Sequence, residues 1–342
     1  MKEPCDLLRN SDFQFLLKAG ITMSESITYL GIDLGSFKTS VTSSNGRRHS
    51  LQTAVGWPKD HIARAMLGRD VVFGTELREQ RLALDIVRPF EQGWLKYRDG
   101  SQSGLTSQQV AKHKEAARLL LQHAVSLTQP AAGSKLLGVI GAPSRASAQA
   151  KHILHEVAAE TFDAVAIVPE PFTVAYGMER LTDTLIVDIG AGTTDLCPLQ
   201  GTYPTEDSQV TVPIGGDVID GHLHSEIIKA HPQARLSAYM VRDLKEKYGF
   251  VHEPTEAISV VLPTEGRPQS FEITECIRAA CLTLVPHIVD SIREVIAKYD
   301  PEFQASLLKN IVLAGGGSQI KGLDRVLESA LREYGDVSVS RV

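Results

Sequence analysis

Two short passages hold the residues best suited to chemistry. Asp33-Leu34-Gly35-Ser36 and Asp188-Ile189-Gly190-Ala191 each place an acid two positions ahead of a glycine turn, with hydroxyls following. Glycines in a tight turn let successive backbone N–H groups converge on one concavity, where they can hold phosphate oxygens without obstruction by Cβ atoms. Gly35 with Ser36, and Gly190 with Gly192, Thr193 and Thr194, are therefore candidate phosphate cradles. The hydroxyls of Ser36, Thr39, Thr193 and Thr194 are further donors, and Lys38 supplies a cation. A cradle on each half of the chain would grip one triphosphate from two sides. A carboxylate beside such an anion repels it, and a magnesium ion removes the conflict. Mg²⁺ keeps most of its waters, so Asp33 and Asp188 can hold its hydration shell while the ion bridges phosphate oxygens, with Asp195 as second support. Hydrolysis also needs a group that orients water in line with the terminal phosphate. Glu170, between Pro169 and Pro171 in a turn they stiffen, is that candidate. Glu170 and Asp188 are thus the expected catalytic pair.

Each feature has a plainer reading. Either glycine turn alone would read as an ordinary hairpin with an Asx cap, and Glu170 alone is equally a solvated turn carboxylate. Two copies plus a third glycine turn, Ala314-Gly315-Gly316-Gly317-Ser318, favour the cradle. The rival phosphate loop GxxxxGK[ST] is absent, and GxGxxG fails from Gly190 onward because Asp195 occupies the third glycine position. His222 and His224 lack a third ligand nearby in sequence and read as helix surface rather than zinc site.

The elements that must position these groups repeat. A buried strand over 29–33, a glycine turn, a strand over 39–43, an Asn45-Gly46 hairpin signal and a strand toward Val55 open the chain as a β-meander. Strands over 184–188, 195–199 and 209–214, with the glycine turn after the first, restate that order, so duplication is the simplest account. Between them, Thr106 or Ser107 caps a helix reaching Leu127 with Val110, Ala117, Leu120, Leu121 and Ala124 inward. A strand over 136–141, a helix over 148–160 and a strand over 164–168 follow. Ile277, Cys281, Leu284, Ile288, Ile292 and Ile296 form a core-facing stripe on a helix that Pro286 should kink, which makes Cys281 packing rather than chemistry. A strand over 310–313 leads to the third glycine turn, and Ser318 or Gln319 begins a last amphipathic helix. Strands alternating with helices imply α/β layers.

Composition narrows the classes. The 342 residues are 43% hydrophobic and 22% charged, which excludes intrinsic disorder and suggests two compact units. A formal charge of −6 with no basic block argues against direct nucleic-acid binding. Cys5, Cys197, Cys276 and Cys281 form no CxxC pair and imply a reducing compartment. No stretch approaches the roughly 18 apolar residues of a transmembrane segment, so the expected location is cytoplasmic. The short apolar run 13–17 reads as a loosely docked tail, and Met23 as the start of a shorter natural product.

In chain order, Asp33-Leu-Gly-Ser-Phe-Lys-Thr39, Glu170-Pro-Phe-Thr-Val-Ala-Tyr-Gly177, Asp188-Ile-Gly-Ala-Gly-Thr-Thr-Asp195 and Ala314-Gly-Gly-Gly-Ser318 resemble the phosphate-1, connect-1, phosphate-2 and adenosine motifs of the actin superfamily. Arg242-Asp-Leu-Lys-Glu-Lys-Tyr248 is similar to the actin segment that borders the adenosine, which implies Lys245 and Glu246 at the base and ribose; without the match it reads as a charged helix face. Gly216, Asp217, Gly315, Gly316 and Gly317 complete the cofactor-binding positions that the resemblance implies. Val55-Gly-Trp-Pro-Lys-Asp60, Val139-Ile-Gly-Ala-Pro-Ser-Arg-Ala146 and Asn310-Ile-Val-Leu-Ala-Gly-Gly-Gly-Ser318 carry a closer likeness, over most of residues 28–335, to the bacterial actins that organise magnetosome chains.

The resemblance implies a two-lobed, ribonuclease-H-like duplicated α/β ATPase fold with four subdomains and a central nucleotide cleft. Residues 1–27 would be an N-terminal extension, 28–55 and 98–183 subdomain IA, 56–97 subdomain IB, 184–213 and 274–342 subdomain IIA, and 214–273 subdomain IIB. It further implies ATP and Mg²⁺ as cofactors, self-association into a homopolymeric filament, and hydrolysis that promotes filament turnover. Co-assembly with a related filament protein, magnetosome adaptor proteins as partners, and a cytoskeletal place beside magnetosome membranes also follow from the likeness. Three features depart from the family pattern: the pair Phe37-Lys38, the length of the N-terminal extension, and the absence of a second connecting helix after the adenosine segment. The alternatives are a sugar-kinase-like phosphotransferase, for which no acceptor motif is visible, and another plasmid or cell-shape filament. A chaperone ATPase is disfavoured because no substrate-binding domain follows.

Overall fold

The computed structural model describes residues 26–91, 94–95, 106–145 and 147–342; the expectations for residues 13–17, Met23 and Cys5 lie outside them. The chain divides into two compact units, one up to Gly177 and one from Met178 onward.

In the first unit, β1 (Ile27–Leu34) buries alternate residues, Thr28, Leu30, Ile32 and Leu34, as a strand with one face on a core must. It runs antiparallel to β2 (Lys38–Ser43), setting Asp33 opposite Ser40 and Leu34 opposite Thr39. The Asn45-Gly46 turn then leads to β3 (Arg48–Gln52), with Gly46 at φ +86° where a side chain would be strained. A small lobe follows: β4 (Val55–Pro58), α1 (His61–Leu67), α2 (Glu76–Glu79) and β5 (Leu84–Val87) close around Val72, Leu77 and Leu84, and β6 (Phe90–Glu91) pairs with β7 (Trp94–Leu95).

α3 (Ser107–Leu127) begins where expected, because Thr106 and Gln109 make a reciprocal capping box. Its inward side is Ala116, Ala117, Leu120, Leu121, Ala124 and Val125. β8 (Lys135–Ala142) lies parallel to β1 with Gly141 beside Asp33; α4 (Ala148–Ala159), β9 (Ala164–Pro169) and α5 (Glu170–Gly177) complete the unit. The sheet order is β3-β2-β1-β8-β9.

The second unit repeats this plan. β10 (Thr184–Ile189) pairs antiparallel with β11 (Thr194–Leu199), setting Asp188 opposite Asp195 and Ile189 opposite Thr194. β12 (Val210–Val212) is shorter than the expected 209–214 strand, because Pro213 has no N–H to offer a ladder. Then come α6 (Gly216–Ala230), α7 (Ala238–Tyr248), the hairpin β13 (Ser259–Thr264) and β14 (Arg267–Glu272), α8 (Thr274–Leu282), α9 (Leu284–Ile296) and α10 (Pro301–Leu308). β15 (Ile311–Ala314), α11 (Leu323–Leu331) and β16 (Val339–Arg341) follow, and the sheet order β12-β11-β10-β15-β16 matches the first unit strand for strand. The duplication inferred from two short motifs thus extends to strand order, direction and register.

Two expectations are corrected. The helix expected to kink at Pro286 is two helices that meet at Thr283, since the proline lacks an N–H and its ring excludes the carbonyl four residues earlier, moving the break back a turn. The last helix begins at Leu323, not at Ser318 or Gln319: Gly316–Gln319 is a single 3-10 turn, and Gly322 at φ +80° interrupts the path to α11. The chain also forms β16 after that helix, three residues too short to carry a periodic signal.

Candidate functional site

Within the first unit, β1 delivers Asp33 to its second-last position, and the chain turns at Gly35. A Cβ on Gly35 would sit 2.7 Å from the Lys38 carbonyl oxygen, so glycine is what lets the turn close. Thr39 is fully buried with its hydroxyl 2.9 Å from that of Thr53, and Thr53 donates to the Gly35 carbonyl at 2.7 Å. This small network staples the end of β3 under the turn. Asp33 remains open to solvent although protein surrounds it on most sides; desolvation raises its carboxyl above the usual range, and the charge of Lys38 opposes that shift.

Glu170 does not occupy a proline-stiffened turn. It opens α5 directly from the end of β9, where an acid is favoured by the helix dipole and Pro171 is tolerated because first-turn N–H groups need no intrahelical partner. Its Cγ lies 3.1 Å from where a Cβ on Gly141 would be, and Gly141 is the register partner of Asp33. Asp33 and Glu170 therefore lie on either side of Gly141, at the carboxyl ends of the parallel strands β1, β8 and β9, the edge of an α/β sheet where ligands bind.

The second unit builds the counterpart. Asp188 is again second-last in its strand, and the Gly190 N–H donates to the Thr193 carbonyl at 2.8 Å to close the turn. Thr194, buried like its equivalent Thr39, donates its hydroxyl to the Ile214 carbonyl at 2.7 Å, bracing the end of β12. Thr39 and Thr194, expected as phosphate donors, thus hold the hairpins shut instead. The first turn of α6 rests on the glycine turn: the N–H groups of Gly216 and Asp217 donate to the Gly190 and Ala191 carbonyls at 3.0 and 2.8 Å. The third glycine turn packs on the same spot. Gly315, at φ +75°, has no room for a Cβ, which would strike the Asp188 carboxylate and the Ile189 carbonyl, and a Cβ on Gly317 would strike the Ile189 side chain. Lys245 reaches back from α7, donating to the Gly216 carbonyl at 2.8 Å.

The second unit therefore gathers Asp188, Gly190, Gly192, Thr193, Gly216, Asp217, Lys245 and Gly315 to Gly317 around one end of its sheet, while Glu246 is exposed on α7. Asp195 is buried and takes a hydrogen bond from the Thr211 hydroxyl at 2.5 Å, which fits a brace between β11 and β12 better than a metal support. His222 and His224 are exposed on α6. Buried Cys281 packs in the core, and burial pushes its thiol up to about 11.

One site-adjacent residue, Asp220, and the pairing of Arg242 escaped the sequence reading. Asp220 pairs with both Arg242 and Lys245, and Arg242 also pairs with Asp217. The signal was present: two acids three apart on one helix and two bases three apart on the next, a spacing that puts each pair on one face.

Among the described residues, no group of three or more His, Cys, Asp and Glu side chains is arranged to hold a metal ion. A strand-end carboxylate such as Asp33 or Asp188 suits a hydrated Mg²⁺, which takes one or two carboxylates and keeps its waters, better than a cation needing a full protein cage.

Two units of identical sheet topology, each with an acid and a glycine turn leaving its first strand, define an actin-like protein. The MreB/Mbl protein family model matches residues 105–339, and the chain belongs to that family. It is 39% identical over 326 residues to the actin-like protein MamK of Paramagnetospirillum magneticum, covering 95% of this chain and 91% of the relative. Among solved structures, a MamK double helical filament matches with 40% identity and a TM-score of 0.86, covering 93% of this chain and 94% of the other. A non-polymerising MamK mutant bound to AMPPNP matches with 39% identity and a TM-score of 0.69, covering 93% and 95%. The actin-like α/β architecture expected from the motifs is borne out.

Proposed function

We propose that this chain is an actin-like ATPase that binds Mg-ATP and polymerises into cytoskeletal filaments, with hydrolysis promoting filament turnover. The observation that carries the reading is the near full-length match to a MamK double helical filament, with a TM-score of 0.86 at 40% identity. The AMPPNP bound to a second MamK relative supports the nucleotide assignment.

In this reading the glycine turn of each unit binds nucleotide phosphate. Gly35, Ser36 and Lys38 of the first unit and Gly190, Gly192 and Thr193 of the second donate to phosphate oxygens. Asp33 and Asp188 would hold a magnesium ion through its waters, and the ion, when bound, neutralises charge on the phosphates. Glu170 orients the attacking water. Lys245 and Glu246 face the base and ribose, and Gly216, Asp217, Gly315, Gly316 and Gly317 shape the wall beside them. The filament organises magnetosomes, co-assembles with a related filament protein and takes magnetosome adaptor proteins as partners. Among the described residues, no helix is long and apolar enough to cross a membrane.

Sedimentation and electron microscopy test the proposal. Polymer should appear above a critical concentration with ATP and magnesium, and shorten as phosphate is released. A chain that stays monomeric across nucleotides and salt concentrations refutes it.

A further inference from the structure

The charges joining α6 to α7 form a linked group. Asp220 lies 2.7 Å from the Lys245 ammonium and 2.9 Å from Nε of Arg242, whose other branch pairs with Asp217. Asp220, Lys245 and Arg242 keep only 14%, 12% and 13% of their side-chain surface, so this is not a solvated face. Lys245 also donates to the carbonyl of Gly216, the residue whose N–H rests on the Gly190 turn. Its ammonium is thus fixed at two points, one on the backbone beside the glycine turn and one on Asp220.

A lysine side chain carries rotamer freedom that a ligand must otherwise remove on binding. Holding the ammonium in place beforehand lowers that cost. Asp220 supplies this restraint, and by taking Arg242 on its other side it fixes its own rotamer too. We infer that Asp220 is a positioning residue for nucleotide binding: it holds Lys245 against the first turn of α6, so that the lysine meets the nucleotide already oriented. The inference rests on the proposed placement of Lys245 beside the base and ribose.

A double-mutant cycle with a fluorescent ATP analogue, measured on monomer below the critical concentration, tests both. Lys245→Met should weaken affinity about tenfold, the scale of a hydrogen bond to a charged group. Asp220→Asn should weaken it several-fold while kcat for bound ATP stays unchanged, because the water-orienting Glu170 is untouched. If Asp220 acts through Lys245, the double variant binds no worse than Lys245→Met alone, whereas an independent structural contribution would add. Unchanged affinity in Lys245→Met removes the lysine from the site, and the inference with it. Weakened binding in Lys245→Met with parental affinity in Asp220→Asn, or an additive double variant, overturns the positioning role alone. Should Asp220→Asn fail to fold, Asp220→Glu keeps the charge but displaces the carboxylate by one methylene, and the same cycle must return the same sign of coupling.

Discussion

Gly315→Ala is the sharpest test of how the second unit is assembled. Gly315 has φ 75° and ψ 176°, a region open essentially to glycine, where another residue costs about 1–3 kcal/mol. The added methyl would also lie 2.5 Å from the Ile189 carbonyl oxygen and against the Asp188 carboxylate. Ile189 cannot retreat cheaply, because it is paired with Thr194 across the hairpin. Overpacking of this kind costs roughly another 1–3 kcal/mol, giving a combined loss of about 4 kcal/mol. With a urea slope of about 2 kcal/mol per molar, the midpoint should fall by about 2 M. Because the methyl displaces the Asp188 carboxylate, Mg-dependent ATP affinity should fall as well. Urea unfolding followed by circular dichroism, paired with nucleotide titration, measures both. Gly316→Ala is the stability control: a Cβ added there would meet no atom within 4 Å, so its stability should change by less than about 0.5 kcal/mol. Equal midpoints for Gly315→Ala and the parent would refute the packing argument.

Other outcomes follow from the same geometry. Glu170→Ala should slow phosphate release by about a hundredfold or more while ATP binding and assembly persist; an unchanged release rate removes Glu170 from the mechanism. Asp188→Ala should weaken ATP binding in magnesium but much less in EDTA, and equal losses in both would count against a metal role. Thr194→Val keeps the shape but deletes the hydroxyl donor to Ile214, so stability should drop by about 1–2 kcal/mol, read as a urea midpoint. His123, stacked on Phe73 at 4.0 Å, is held below its ordinary pKa of 6.5 by desolvation. Its unfolded form therefore takes a proton first as pH falls, so its contribution is complete above about 6.5 and is lost below that toward the folded value. Comparing urea midpoints at pH 8 and pH 5.5 should show a smaller acid loss in His123→Phe than in the parent, and an identical loss would exclude this histidine.

Much of the framework was written locally. The capping box at Thr106, the alternation in β1, the acid two residues before each glycine turn and the Asn45-Gly46 hairpin all depend on a few neighbouring residues. Short windows of sequence encode backbone preference and periodicity directly, and the repeated strand-turn-strand pattern was visible for that reason. Departures arose where a local signal met a distant constraint. Pro286 announced a disruption, but its ring acts on a carbonyl one turn earlier, so the helix parts at Thr283. Ser318 looked like a helix start, but the turn containing it must bend around Ile189, leaving α11 to begin beyond Gly322.

The residues themselves determined that this protein has a duplicated α/β plan with acidic glycine turns suited to phosphate and magnesium, because residue type and spacing alone limit which groups can meet an anion. Tertiary structure decided what each group is free to do. Thr39 and Thr194 have the right chemistry for phosphate, yet Thr53 and Ile214 claim their hydroxyls. Lys245 reads as an ordinary charged helix residue until α6 brings Asp220 and the Gly216 carbonyl to its ammonium. A hydroxyl or ammonium satisfies whichever partner the folded chain places within reach, and that partner comes from another element.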